Sequence, residues 1–347
     1  MTATDLHDMS LASRPRTDAP RRAPWRRTID VLREFGYDAV RFVSHSAAVS
    51  PRKVASVRAL VTMDTHRVEK GLAVPSPRPW FGRSIITRLL ANTATYLAVG
   101  GDRDVCRSSI AAVTEYVGHH DAASGPAPAW VADVRADLAT LATTVDQVDP
   151  LGGTTVISRE TVLKAAKLDT LEFFFTRHSI RQFDEEPVTW AEISSAVKAA
   201  QQTPSVCNRQ SWSVYAYQRG DAADAVLACQ NGNTGFGHTA SHVLLITVDL
   251  RTFVYIGERN QGWIDGGMFA MSLIYAFHAL GIGTCCLNWA VDSRTDRMLR
   301  SVVSIPDHEA VIMMLAVGRL PETLPVARSW RRPTAGTLKP GRLRTDT

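Results

Sequence analysis

Cysteine is scarce and odd in number: five in 347 residues, Cys106, Cys207, Cys229, Cys285 and Cys286. A scattered, odd set makes no disulfide framework, and without a Cys-x-x-Cys pair there is no zinc ribbon. Cys285 and Cys286 sit in an apolar run, so buried inert thiols are expected there and no metal site. Long apolar runs are also missing. Nothing approaches the ~18 residues of a spanning helix, and no apolar stretch follows the first charges as in a secretory leader. A soluble, cytoplasmic protein is expected. P-loop, His-Glu-x-x-His and Gly-x-Ser-x-Gly motifs are absent too, which removes the common nucleotide-hydrolysing, zinc-peptidase and serine-hydrolase chemistries.

What is present is an ordinary globular balance, 45% hydrophobic and 21% charged, with a net charge of +5. The charge is uneven. Residues 1–28 carry Arg14, Arg16, Arg21, Arg22, Arg26 and Arg27 against Asp5, Asp8 and Asp18, with prolines between them. This predicts a disordered basic arm. Neither an aromatic platform nor a nucleic-acid motif accompanies it, so no nucleic-acid or membrane partner is expected. The basic, Gly/Pro-rich end, residues 336–347, is expected to be a flexible tail.

Periodicity divides the rest. Residues 29–150 read as helices: Leu32, Phe35, Ala39 and Phe42 follow helical spacing, as do Trp130, Val134, Leu138 and Leu141, and 84–99 and 103–118 are amphipathic. Pro75, Pro77 and Pro79 break the chain after a helix ending near Lys70. A turn-rich stretch at 148–156 marks the boundary. The second half mixes elements. A helix is expected at 159–175, and Thr189 with Glu192 forms a capping box before a helix. Residues 212–217, 242–248, 283–289 and 310–317 read as strands, with helices at 266–280 and 292–302. A sheet covered by helices follows. Gly281-Ile-Gly283 follows a helix and opens a strand, the reverse of a dinucleotide fingerprint.

Three segments carry candidate chemistry. Arg177-His178-Ser179-Ile180-Arg181 places two guanidiniums about a hydroxyl, a phosphate-binding set or a basic helix end. Pro204-Ser205-Val206-Cys207-Asn208-Arg209-Gln210 offers two amides, suited to the edge of a heterocycle or to capping a turn. Gly281 to Trp289 brings glycines that let a backbone approach a ligand, or a helix cap before a core strand.

In this order and spacing the three segments, with Pro187-Val188, Trp212 and Ala316-Val317-Gly318, resemble the nitroreductase family over roughly residues 168–335. Glu258-Arg259-Asn260-Gln261-Gly-Trp-Ile-Asp265-Gly-Gly-Met268 and His66-Arg67-Val68-Glu69-Lys70-Gly71-Leu72 resemble a branch with a helical N-terminal extension, associated with polysaccharide gene clusters. The resemblance implies an α+β fold: a mixed sheet flanked by helices at 157–335, preceded by the all-helical extension. It implies a homodimer and FMN. Arg177, His178, Ser179 and Arg181 would hold the phosphate and ribityl chain, completed by Arg331 or Arg332. Pro204, Ser205, Asn208 and Gln210 would meet the flavin, Ser205 from the partner, and the backbone of Cys285, Cys286 and Leu287 would face its reactive edge. NADH or NADPH would donate electrons and a small-molecule acceptor would take them by a ping-pong mechanism. The alternative is a flavin protein for storage or sensing, without turnover. No side-chain nucleophile is required. Glu69, Lys70, Arg259 and Asn260 are the candidates for contact with the substrate, and the helical half is expected to cover the flavin's open face.

Overall fold

The structure is a computed structural model and describes residues 24–49, 54–73, 77–123, 125–145, 151–156, 170–324, 326, 333–341 and 343. Most of the arm expected at 1–28, most of the helix expected at 159–175, Arg331 and Arg332 lie outside these residues. The helices are α1 (Pro24–His45), α2 (Val54–Leu72), α3 (Arg83–Ala98), α4 (Arg103–Ala123) and α5 (Trp130–Ala142), then α6 (Thr170–Thr176), α7 (Trp190–Ala200), α8 (Asp221–Ala228), α9 (Gln261–Ala279) and α10 (Ser293–Val302). The strands are β1 (Trp212–Gln218), β2 (His242–Asp249), β3 (Ile282–Asn288) and β4 (Glu309–Arg319).

The four strands form one antiparallel sheet in the order β1-β2-β4-β3. Successive strand residues point to opposite faces. Leu244 and Ile246 therefore join Phe269 and Leu273 of α9 and Ile193 of α7 in one core. Val243 and Leu245 join Val226 of α8 and Leu299 of α10 in the other. Both faces are covered, which is why β2 reads as a continuous apolar run rather than an alternating one. The fold is α+β, as the motifs imply.

α2 to α5 enclose a separate core that includes Val61, Val68, Ile86, Leu89, Ile110, Val113 and Tyr116. Asp64 is buried in it between two arginines, Arg67 at 3.1 Å and Arg88 at 2.7 Å. Arg67 also donates to the Tyr255 hydroxyl at 2.9 Å, joining this bundle to the sheet half.

α1 behaves differently from its neighbours. Its first turn begins at Pro24, so residues 24–28 are helical rather than part of the arm. It docks on the sheet half by its polar side: Tyr37 donates to Asp296 at 2.7 Å, Arg41 donates to the Glu309 carbonyl at 2.5 Å, and Glu34 accepts from the Ser293 amide at 2.7 Å. Burial alone would raise the Asp296 carboxyl, but Arg300, Trp289 and Tyr37 together hold it below its ordinary value. Of the residues whose spacing predicts the helix, Leu32, Phe35 and Ala39 face outward and Phe42 is half-buried; Trp25 and Ile29 also face outward, and Trp25, Ile29, Leu32 and Phe35 are each more than half exposed within one chain. The spacing identified the helix, but its packing is inverted because buried acceptors on α10 and β4 need its polar side.

The capping box predicted for α7 is present. The Glu192 amide donates to Thr189 Oγ1, and the Thr189 amide donates to Glu192 Oε2 at 2.8 Å. Arg319 at the end of β4 grips the same carboxylate at 2.7 and 2.9 Å, and these hydrogen bonds bring its pKa down to about 2. A lowered carboxyl stabilises the fold fully above its ordinary value near 4.5 and loses that contribution as pH falls toward 2. Glu192→Gln should therefore melt earlier than the parent at neutral pH, with the gap closing between pH 4.5 and 2. Thr189→Ala should cost about 1 kcal/mol. Thermal melts across that pH range test both.

Candidate functional site

The first motif becomes a short extension of the sheet. Beyond α6 the chain runs alongside β3, with a parallel bridge between Ser179 and Thr284 and a 2.8 Å hydrogen bond from the Ile180 amide to the Thr284 carbonyl. Ile180 turns into the core, while Arg181 stays exposed. A Cβ on Gly283 would lie 3.1 Å from Ile180 and 2.9 Å from Leu320. That glycine therefore exists for protein packing. Its neighbour Gly281, at φ +70°, ends α9. A helix cap followed by a core strand accounts for both glycines.

Among the described residues Arg177 and Arg181 have no carboxylate partner. Arg181 reaches only its neighbour's carbonyl at Ser179, 3.5 Å away, and the face of Phe236. His278 lies behind this strip. It donates to the Phe173 carbonyl at 3.0 Å, and burial, with Arg177 and His178 nearby, pushes its pKa down. The cysteine pair is split by the strand's alternation. Cys285 is buried, which pushes its thiol up, with Arg181 pulling weakly the other way. Cys286 is exposed, contrary to the expectation that both thiols are buried. Leu287 is buried in the core. Past Thr284, no described strand pairs with residues 285–287 on the outer edge of β3.

The second motif forms a tight loop whose backbone is held in an unfavourable shape. Cys207, Asn208 and Gln210 have φ of 49°, 52° and 46°, a left-handed conformation costing about 1–3 kcal/mol each for side chains of this kind. Several bonds hold it. The Val206 amide donates to the buried Asp265 at 3.2 Å, and the Gln210 amide donates to Ser205 Oγ at 2.9 Å. Arg209 points inward, its side chain 1% exposed, and meets Glu258 at 2.6 Å. Glu258 in turn accepts from the amides of Val254 and Tyr255. Trp212 stacks on Phe269 with centroids 4.8 Å apart. Pro204, Asn208 and Gln210 are left exposed.

A cavity of about 430 Å³ opens beside this loop, with His66 and Glu69 of α2 and Asp104 of α4 facing Asn208 and Gln210. The structure thus joins Glu69 to the second motif. Glu69 is not free, however: it accepts from the Gly153 amide at 3.1 Å and lies 3.2 Å from His66 Nδ1, so it also fastens the 151–156 turn. Lys70 is exposed and outside the cavity, as are Arg259 and Asn260 ahead of α9. Arg58, Thr65 and Arg209, which line the cavity, were not singled out by the motifs. For Arg209 a signal existed, a lone charge between two chosen amides; Thr65 lies inside an ordinary helix and carried none.

The two motifs do not meet within one chain. The 204–212 loop leads into β1, and Arg177–Arg181 lies beside β3, the opposite edge of the sheet. Three strand spacings, about 14 Å, separate those edges. The cavity beside the loop includes no residue of the strip.

The nitroreductase family model matches residues 175–232 and 222–319. A protein of Archaeoglobus fulgidus named "Putative NADH dehydrogenase/NAD(P)H nitroreductase" is 26% identical over 156 residues, covering 43% of this chain and 84% of that protein. Among solved structures, an FMN-dependent nitroreductase from Clostridium difficile R20291 is 21% identical, covering 45% of this chain and 91% of its own, with a TM-score of 0.40. A structure described as a "putative nitroreductase in complex with fmn" from Desulfovibrio desulfuricans is also 21% identical. It covers 51% of this chain and 99% of its own, with a TM-score of 0.44. The family match begins at residue 175, so α1 to α5 lie outside it. The sheet domain at residues 175–319 is thus the part of the chain that matches the nitroreductase family model.

Proposed function

We propose that the protein is an FMN-dependent oxidoreductase that passes electrons from NADH or NADPH to a small-molecule acceptor in a ping-pong cycle. One observation carries the reading: two guanidiniums without carboxylate partners among the described residues lie along β3, beside a strand edge that no described strand pairs. A phosphate suits such a strip, since guanidinium presents a planar fork to it. The open backbone edge at 285–287 suits a heterocycle that both donates and accepts hydrogen bonds.

FMN supplies hydride chemistry when bound; the protein positions it and shapes its surroundings. Arg177, Ser179 and Arg181 bind the phosphate and ribityl chain. Backbone groups of Cys285, Cys286 and Leu287 orient the ring. The amides of Asn208 and Gln210, held outward by the strained loop, meet the ring from a second copy, because one chain keeps them on the far edge of its sheet. Burial pushes the Cys285 thiol up. The exposed apolar side chains Phe174, Phe175, Ile264 and Met268, with the outward stripe of α1, fit burial against that second copy.

The protein should release FMN on denaturation, and Arg177→Ala should weaken FMN binding. A charge-assisted hydrogen bond of about 1.5–3 kcal/mol corresponds to a loss of about 10- to 150-fold. Fluorescence titration measures it, and unchanged affinity would place the phosphate elsewhere. Anaerobic addition of NADH or NADPH should bleach the flavin; a bound flavin that neither reduces would indicate a non-catalytic flavin protein.

The full chain should sediment as a homodimer, with FMN uptake falling as the dimer is diluted apart. A flavin-loaded monomer would contradict a site shared between two chains.

A further inference from the structure

The strip at Arg177–Arg181 is delivered by an element that does not hold its own place. α6 is seven residues long, and a helix below about 12 residues is marginal without packing. Leu171, Phe174 and Phe175 on it are exposed within one chain, so much of its surface adds nothing to its docking. Its attachment comes from the last turn of α9. Phe173 meets the rings of Tyr275 and His278, with centroids 5.6 and 4.8 Å apart. His278 Nε2 lies 3.0 Å from the Phe173 carbonyl and 3.1 Å from Thr176 Oγ1.

The last carbonyls of a helix have no partner within it and need one from elsewhere. A carbonyl only accepts, so His278 Nε2 carries the proton. The Thr176 hydroxyl donates to the Glu172 carbonyl at 2.8 Å, which leaves its oxygen able to accept as well. One N–H therefore closes the end of α6. Arg177 follows directly. Beyond it, Ser179 and Ile180 are fixed on β3 by the bridge to Thr284 and a 2.8 Å hydrogen bond. Only Arg177 and His178 stand between these two anchors, so the first guanidinium is placed by where α6 ends. Burial, and then the charges of Arg177 and His178, push the His278 pKa down, so the ring lies within reach of both. The same helix grips the other motif near its start, where Asp265 accepts from the Val206 amide at 3.2 Å. α9 thus anchors both motifs, with His278 as its polar hold on the Arg177 side.

We propose that His278 is a positioning residue for the anion-binding strip: its Nε2–H, shared between the Phe173 carbonyl and Thr176 Oγ1, sets where the Arg177 guanidinium stands. The proposal rests on the FMN reading for the identity of the anion, and not for the anchoring itself. Loss of the N–H releases the end of α6. The phosphate then loses its fork, while the flavin ring keeps its own contacts.

The test compares FMN with riboflavin, which has the same ring and ribityl chain without the phosphate, by fluorescence titration of the full-length protein. His278→Phe keeps an aromatic ring against Phe173 and removes the N–H. His278→Gln returns an amide N–H at the place of Nε2. His278→Phe should weaken FMN about tenfold, the loss of one charge-assisted hydrogen bond, with riboflavin affinity unchanged. His278→Gln should bind FMN as the parent does. Unchanged FMN affinity in His278→Phe, an equal loss of FMN and riboflavin, or His278→Gln no better than His278→Phe would each overturn the proposal. Thr176→Val, at an exposed position, removes one of the two acceptors and should move the FMN-to-riboflavin ratio the same way. It replaces His278→Phe if that chain does not fold, and an unmoved ratio counts equally against the proposal. If the parent takes up neither flavin, the FMN reading fails separately and trypsin decides the anchoring. Cleavage after Arg177, read by fragment mass, should be faster in His278→Phe than in the parent and slow again in His278→Gln. An unchanged rate would overturn the positioning role.

Discussion

The ion pair between Arg209 and Glu258 is the constraint on which the rest of the loop region depends. A guanidinium that is 1% exposed pays a desolvation penalty that a single 2.6 Å contact recovers only with further hydrogen bonds. The surroundings supply them, through the Val206 carbonyl on one side and the amides that orient Glu258 on the other. In return the pair fixes the residue between Asn208 and Gln210. With Arg209 anchored inward, its neighbours must turn outward, and the left-handed backbone at three nearby positions is the cost of that reversal. Packing alone would not hold such a shape, because Asn208 and Gln210 are themselves exposed.

A second consequence follows from sheet order. Placing β1 and β3 at opposite edges keeps the two motifs apart within each chain. Arg177–Arg181 uses the β3 edge and the strained loop stands off the β1 edge. A site drawing on both requires a second chain. That requirement explains, on the proposed reading, why so many large apolar side chains remain uncovered in one chain, on α6, on α9 and along α1.

Much of this was legible in the residues, and the exceptions share a cause. Periodicity located β1 at 212–217, against the observed Trp212–Gln218, and the capping box placed the start of α7 correctly. These features are local: alternation and caps are decided within a few residues. What failed was orientation toward partners distant in sequence. The spacing of Leu32 and Phe35 identifies a helix, but only Asp296, more than 250 residues away, decides that Tyr37 faces inward. Cys285 and Cys286 share an apolar run, yet strand alternation at an edge exposes one of them. Glu69 stands out in the sequence as a charge near a loop. Its bond to Gly153 could not be foreseen, because the turn at 151–156 must first fold back on α2.

The helical half is more than a covering layer, because of how it is attached. Asp64 bridges α2 and α3 through Arg67 and Arg88, and Arg67 continues to Tyr255, whose amide, with that of Val254, orients Glu258. One polar chain therefore runs from the core of the bundle to the carboxylate that anchors Arg209. Such a network transmits position because each member is satisfied only in one arrangement. The wall formed by α2 and the wall formed by the 206–210 loop are thus set against each other by the same interactions that hold the loop in its strained shape. A cavity between two independently mobile halves would have no fixed spacing. Here the spacing is built into the ion pairs, so the region outside the family match and the loop inside it are held at one fixed distance across the cavity.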